Sequence, residues 1–155
     1  MSDYRPLREI AAAIAELIRA TGKFRKVVFC QATNSEQLWQ TLEALAALPA
    51  AVVAIGPVPH DRHGLRRTVR VMVCIAAPFA RGAEAEAAGI WDLSEAAAGV
   101  FYPRATDEGT FFPEAAGIEF EVESLDPIPS PGPVSACVLT LAGTEFLSDE
   151  IDDET

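Results

Sequence analysis

Apolar residues near the start of the chain recur at helical spacing: Leu7, Ile10, Ile14, Leu17 and Ile18 fall three or four positions apart, among Arg8, Glu9, Glu16 and Arg19. That period places them on one stripe of an amphipathic helix. Pro6 suits its first turn, where a missing amide costs nothing, and Gly22 suits its end. Val27, Val28 and Phe29 then predict a strand within residues 24–30. A second helix is predicted over residues 35–48, because Asn34 can cap it, Gln37 follows three positions later, and Leu38, Leu42 and Leu45 share a face. Pro49 stops it, and the short apolar run 51–55 before Gly56 and Pro57 predicts a buried strand.

Residues 57–67, PVPHDRHGLRR, are polar, contain Pro57, Pro59 and Gly64, and predict a long exposed hairpin loop. Val69, Val71, Val73 and Ile75 alternate with Arg70, Met72, Cys74 and Ala76 up to Pro78, the clearest strand pattern in the chain. Ile90, Leu93, Ala97 and Val100 predict a third helix ending before Pro103, preceded by an alanine- and glutamate-rich turn from Ala83. Residues 104–116 read as loop. Ile118, Phe120 and Val122 then alternate with Glu119, Glu121 and Glu123, giving a strand with one buried and one acidic face. DPIPSPGP, residues 126–133, reads as a stiff connection, residues 134–141 as the last strand, and residues 148–155 as a flexible acidic tail. The expected fold is α+β, a mixed or antiparallel β-sheet of about four to five strands with helices packed on one face, in a single domain over residues 1–147.

Composition fits that reading: 155 residues at 50% apolar supply an ordinary core. No run approaches the roughly 20 apolar residues of a bilayer span, and the first thirty residues lack a leader pattern, so a soluble intracellular chain is expected. Charge adds more. The net charge is −11, which argues against a protein that grips nucleic acid along its phosphates. All twelve basic residues lie between Arg5 and Arg104, whereas Asp107 to Glu154 contributes thirteen acids and no Lys or Arg. Opposite charges on different faces of a subunit favour head-to-tail packing in a cyclic ring.

Candidate chemistry is sparse. His60, Asp61 and His63 form a short polar group without the three or four converging ligands zinc requires. Cys30, Cys74 and Cys137 each lie in an apolar run, where a thiol is inert and structural, and no GxSxG, GxxxxGK[ST] or GxGxxG motif occurs. No cofactor is expected. Glu119, Glu121 and Glu123 read as the outer face of one strand. Arg62, Arg66, Arg67 and Arg70 are the one concentration of positive charge, and arginine at a loop and strand base suits a protein interface because its planar fork pairs with carboxylates.

The segment RRTVRVMVCIAAPFARGAEAEAAGIWDLSEAAAGV, residues 66–100, resembles the small tail proteins of Mu-like phages and prophages. The likeness rests on the strand of alternating valines, the small-residue turn with Arg81, Gly82 and Glu84, and the helix opening Ile-Trp-Asp-Leu after Gly89. That family is similar to the tail terminators of the lambda protein U type, so the resemblance implies an α+β subunit of a hexameric ring at the head-proximal end of a tail tube. It implies no catalytic residues. The expected partners are further copies of the chain, a tail tube protein and head–tail connector proteins, with DNA only passing through the channel and no membrane. The expected location is the virion or a tail-like particle, assembled in the host bacterial cytoplasm. Arg62, Arg66, Arg67 and Arg70 are the expected subunit contact, and Glu119, Glu121 and Glu123 the expected channel lining. The competing expectations are a small-ligand or metal-binding enzyme using His60, Asp61 and His63, and a monomeric adaptor.

Overall fold

A computed structural model describes residues 4–30, 37, 48–78, 89–128 and 134–147. Helix α1 (Leu7–Arg19) forms along the apolar stripe, with Ile10, Ile14 and Ile18 fully buried. The Pro6 carbonyl accepts the amides of Glu9 and Ile10, and Gly22 closes the far end at φ +71°, a conformation open to glycine. Arg19 in the last turn donates to the Val27 carbonyl at 2.7 Å, which ties the helix to the strand that follows.

That strand, β1 (Lys26–Phe29), pairs in parallel with β2 (Ala50–Ile55), and β2 pairs antiparallel with β3 (Arg66–Pro78). A parallel pair needs a crossover of a dozen or more residues, which the stretch between Phe29 and Ala50 supplies. Gln37 within it is helical and Leu48, the last residue of the helix predicted over 35–48, is a bend; the rest of that helix lies outside the described residues. After β3 come α2 (Ile90–Gly99), β4 (Arg104–Thr106), β5 (Gly109–Phe111), β6 (Glu114–Ala115), β7 (Ile118–Ile128) and β8 (Val134–Phe146).

The fold is α+β. A six-stranded sheet runs β1-β2-β3-β8-β7-β6, with β4 and β5 in a separate two-stranded ribbon. This exceeds the four to five strands expected, because residues 104–116 are not loop but β4, β5 and β6. The sheet's spine is the β3–β8 pair, matched without a break from Arg66↔Phe146 to Pro78↔Val134. Strand β8 therefore runs to Phe146, five residues past the predicted end at Leu141.

Alternation decides what each face buries. Val69, Val71, Val73 and Ile75 of β3, Leu139 and Leu141 of β8 and Phe120 of β7 join α1 and α2 in one core cluster. The other face of β2 and β3 buries Ala50, Val52, Ala54, Cys74 and Ala76 in a second, smaller cluster. Burial on both faces is why β2 reads as an unbroken apolar run.

Two local devices shape the β7 edge. Ala116 at φ +55° and Gly117 at φ +79° make the two-residue turn between β6 and β7, the backbone of a type I′ hairpin. A bulge between Val122 and Ser124 then leaves Glu123 as the extra residue, which returns Leu125 to the core face opposite Leu139. Asp126, Pro127 and Ile128, expected in the stiff connection, instead finish β7. Proline is tolerated there because, among the described residues, this stretch pairs with β8 alone and needs no donor on its outer side. The rest of that connection (129–133), the turn expected from Ala83 and the tail 148–155 lie outside the described residues.

Gly143 in β8 faces Phe120 across the ladder. A methyl group there would meet Phe120 Cε1 at 2.8 Å, the Glu119 carbonyl oxygen at 2.9 Å and Ile118 Cγ2 at 2.9 Å. One of those obstacles is backbone and cannot rotate away. Gly143→Ala is therefore expected to destabilise the fold by about 1–3 kcal/mol, read as a lowered denaturant midpoint with an unchanged slope.

Candidate functional site

The loop between β2 and β3 is braced from several sides. Asp61 organises its turn: the Asp61 carboxylate accepts the amides of His63 (3.2 Å) and Leu65 (3.0 Å), and its own amide donates to the Arg66 carbonyl at 2.8 Å. Partial desolvation opposes ionisation, yet the surrounding backbone amides and the nearby Arg66 guanidinium hold the Asp61 carboxyl below the usual carboxylate range. The Tyr4 hydroxyl donates to the Gly64 carbonyl at 2.7 Å, the Leu147 amide to the Leu65 carbonyl at 2.8 Å, and the His60 ring meets Tyr4 edge-on at 5.7 Å. The loop is exposed, as its composition predicts, but its shape is set by contacts with Tyr4 and Leu147.

Of the four arginines assigned to subunit contact, Arg62 and Arg66 are exposed and make no ion pair among the described residues. Arg67 is different. Its side chain is 8% exposed and its guanidinium bonds Glu145 through Nε and Nη2, each at 2.8 Å from Oε1. Nη2 also donates to the Arg5 carbonyl at 2.6 Å, and the guanidinium lies 4.4 Å above the Tyr4 ring. Arg67 is thus bonded within its own chain and largely covered there. The physical reason is the strand period: Arg67 shares the inward face with Val69, Val71 and Val73. Arg70 is partly exposed and pairs with Glu123 at 3.3 Å, so two residues assigned to separate roles meet in one chain.

Glu119, Glu121 and Glu123 are all exposed on one side of β7. Glu119 and Glu121 line a shallow groove of about 240 Å³ with Phe112, Ala142, Thr144 and Phe146. No histidine, cysteine or arginine lines it. The ring of Phe146 is 62% exposed at its rim, so the groove presents apolar surface beside carboxylates.

His60 Nδ1 donates to the Val58 carbonyl at 2.9 Å and Asp61 is occupied by backbone amides, so the His60, Asp61 and His63 group does not converge on a point. Among the described residues no group of three or more His, Cys, Asp or Glu side chains is arranged to hold a metal. Burial pushes the Cys74 thiol up to about 12 and raises that of Cys137, which keeps both protonated and unreactive. Ser94 Oγ, buried on α2 next to the Cys137 thiol, is in hydrogen-bond geometry with no other group among the described residues. No helix among the described residues is long and apolar enough to cross a membrane.

The sequence reading missed the β4–β5 ribbon. Every residue from 102 to 111 is exposed. Its strands are three residues each, too short for alternation to register, and its turn carries Asp107 and Glu108 before Gly109 at φ +135°. A scan of protein-family models and a search of curated proteins gave no match to the chain.

Proposed function

We propose that the protein is a structural subunit of a phage-type tail or tail-like particle, a tail-terminator or tail-completion protein that works as a ring of its own copies. The ring, hexameric by the family resemblance, would sit at the head-proximal end of the tail tube. There it contacts the tube protein on one side and head–tail connector proteins on the other, and DNA passes through it. Virion placement, with assembly in the host cytoplasm, belongs to the same reading.

The observation that carries it is the separation of exposed charge on rigid elements. Arg62 stands on the braced loop between β2 and β3 and Arg66 where that loop enters β3, while exposed Glu119 and Glu121 stand on β7, beyond β8 in the sheet order. Cations and carboxylates held on separate elements leave the arginines free for a contact repeated around a closed ring and the carboxylates free to face its channel. Glu119 and Glu121 are the acids proposed to line the channel, where like charge keeps passing DNA from adhering. Glu123 contributes less, because Arg70 offsets it.

Sedimentation velocity and electron microscopy of the purified chain test this directly. A concentration-dependent ring is expected, weakened on the order of a hundredfold in dissociation constant by Arg62→Glu with Arg66→Glu. A chain that stays monomeric at every concentration, or a ring indifferent to the reversal, counts against the reading.

A further inference from the structure

The β4–β5 ribbon has no role in the fold that its position explains. Among the described residues, two three-residue strands pair only with each other, Arg104↔Phe111, Ala105↔Thr110 and Thr106↔Gly109, apart from the six-stranded sheet. All ten residues from 102 to 111 face solvent, among them Tyr102 at 40% and Phe111 at 51% exposure. An isolated two-stranded hairpin is marginal in water at best. Yet this one is well formed: Thr106 Oγ1 donates to the Gly109 carbonyl and accepts the Glu108 amide, both at 3.2 Å, which closes the tip. Its base is fixed as well. Phe101 on one side is fully buried, and on the other the Pro113 carbonyl accepts the Phe120 amide at 3.1 Å. A shaped, anchored and uncovered ribbon has the features of an arm.

Its tip carries Asp107 and Glu108, neither in an ion pair among the described residues. The complementary surface is the loop between β2 and β3, where Arg62 and Arg66 are exposed and in no salt bridge among the described residues, Arg66 near Asp61, and Leu65 between them is 45% exposed. Topology places the two features well for a ring. The end of β2, the start of β3, the end of β8 and the start of β7 all lie at one end of the sheet, as Arg66↔Phe146 and Phe120↔Gly143 require. The loop is therefore level with the base of the ribbon, but the two stand on opposite flanks, the loop beside β2 and the ribbon base beside β6. Strand spacing separates them by roughly 19 Å. A contact between opposite flanks at one level repeats around a circle without climbing, which is the condition for closure instead of an open filament.

We infer that the ribbon of one copy docks on the β2–β3 loop of the next, with Asp107 and Glu108 against Arg62 and Arg66, and Phe111 and Leu65 supplying the apolar part of the contact. This deepens the ring reading and rests on it, by naming the acids that meet the loop arginines. Apolar surface bordered by paired charge is the usual anatomy of a specific interface.

Two full-length variants test it by mixing. One carries Arg62→Glu and Arg66→Glu, the other Asp107→Arg and Glu108→Arg; all four sites are exposed, so thermal melting of each should match the parent. Alone, each variant juxtaposes like charges at every contact and should self-associate on the order of a hundredfold more weakly. Mixed in equal amounts, they should recover the parent's assembly, because acid tip meets arginine loop and arginine tip meets glutamate loop in alternation around the ring. A parent that never associates, or loop reversal without effect, defeats the ring reading and this inference together. Loop reversal that disrupts assembly while tip reversal does not, or a mixture that fails to recover, defeats only the ribbon-to-loop contact.

Discussion

Glu145→Ala is expected to destabilise the protein by about 3 kcal/mol, the low end of the range for stranding a buried charge. Glu145 and Arg67 are directly opposed in the β8–β3 ladder, with side chains 11% and 8% exposed. One Glu145 oxygen accepts both Arg67 bonds, and the other accepts the Arg5 amide at 2.8 Å. Its removal therefore leaves a guanidinium out of water without its counter-charge and an amide without its acceptor. The cost stays at the low end because Arg67 keeps the Arg5 carbonyl and the Tyr4 ring. Urea unfolding measures it, with two comparisons that separate charge from packing. Glu145→Gln, which retains an acceptor, should lose less than Glu145→Ala. Replacing the pair together by Arg67→Met and Glu145→Leu should fall within about 1 kcal/mol of the parent, since no charge is then left buried. A Glu145→Ala protein as stable as the parent would show that water reaches Arg67 and that the pair belongs to the surface.

The same pair shows what the sequence made legible. The long elements were readable: α1 from five apolar residues on one stripe, β3 from four β-branched residues in alternation, and α2 from Ile90, Leu93 and Ala97. Carried back one step, the period that predicts β3 already puts Arg67 on the face of Val69, and carried forward along β8 it puts Glu145 on the face of Leu139 and Leu141. What obscured the pair was strand length. The local pattern places Arg67 in the preceding loop and ends β8 at Leu141, so it puts neither residue in a strand. Their partnership spans 78 positions and leaves no local trace.

The missed strands failed for a different reason. Residues 104–116 fold through turns that composition advertises poorly: Ala116 adopts φ +55° although alanine is rarely found there, and Asp107 and Glu108 precede the glycine that reverses the ribbon. The bulge at Glu123 was equally hidden, because three alternating glutamates look the same whether the ladder continues or slips beyond them. Of the candidate contact surface, the loop arginines were visible as a run of charge, but which of them face solvent follows from strand register. The ribbon opposite them follows only from three-dimensional exposure.

Phe120→Ala is expected to cost about 3–5 kcal/mol and to loosen the ribbon as well as the core. Phe120 is fully buried, and its ring covers the space left by Gly143 on the facing strand. With alanine at 120, two small residues would face each other between backbones held apart by the ladder, so the void cannot collapse. The Phe120 amide also fixes the Pro113 carbonyl at the ribbon's base, so strain here is transmitted to residues 102–111. Hydrogen exchange should accordingly show faster opening in β6 and the adjoining base than in the β3–β8 pair, which is matched along its whole length. Gly143 provides an internal check. Gly143→Ala should be less damaging in the Phe120→Ala background than in the parent, because Phe120 Cε1 no longer obstructs the new methyl group while the Glu119 carbonyl still does. Equal costs in the two backgrounds would mean that the ring and the glycine are not packed against each other.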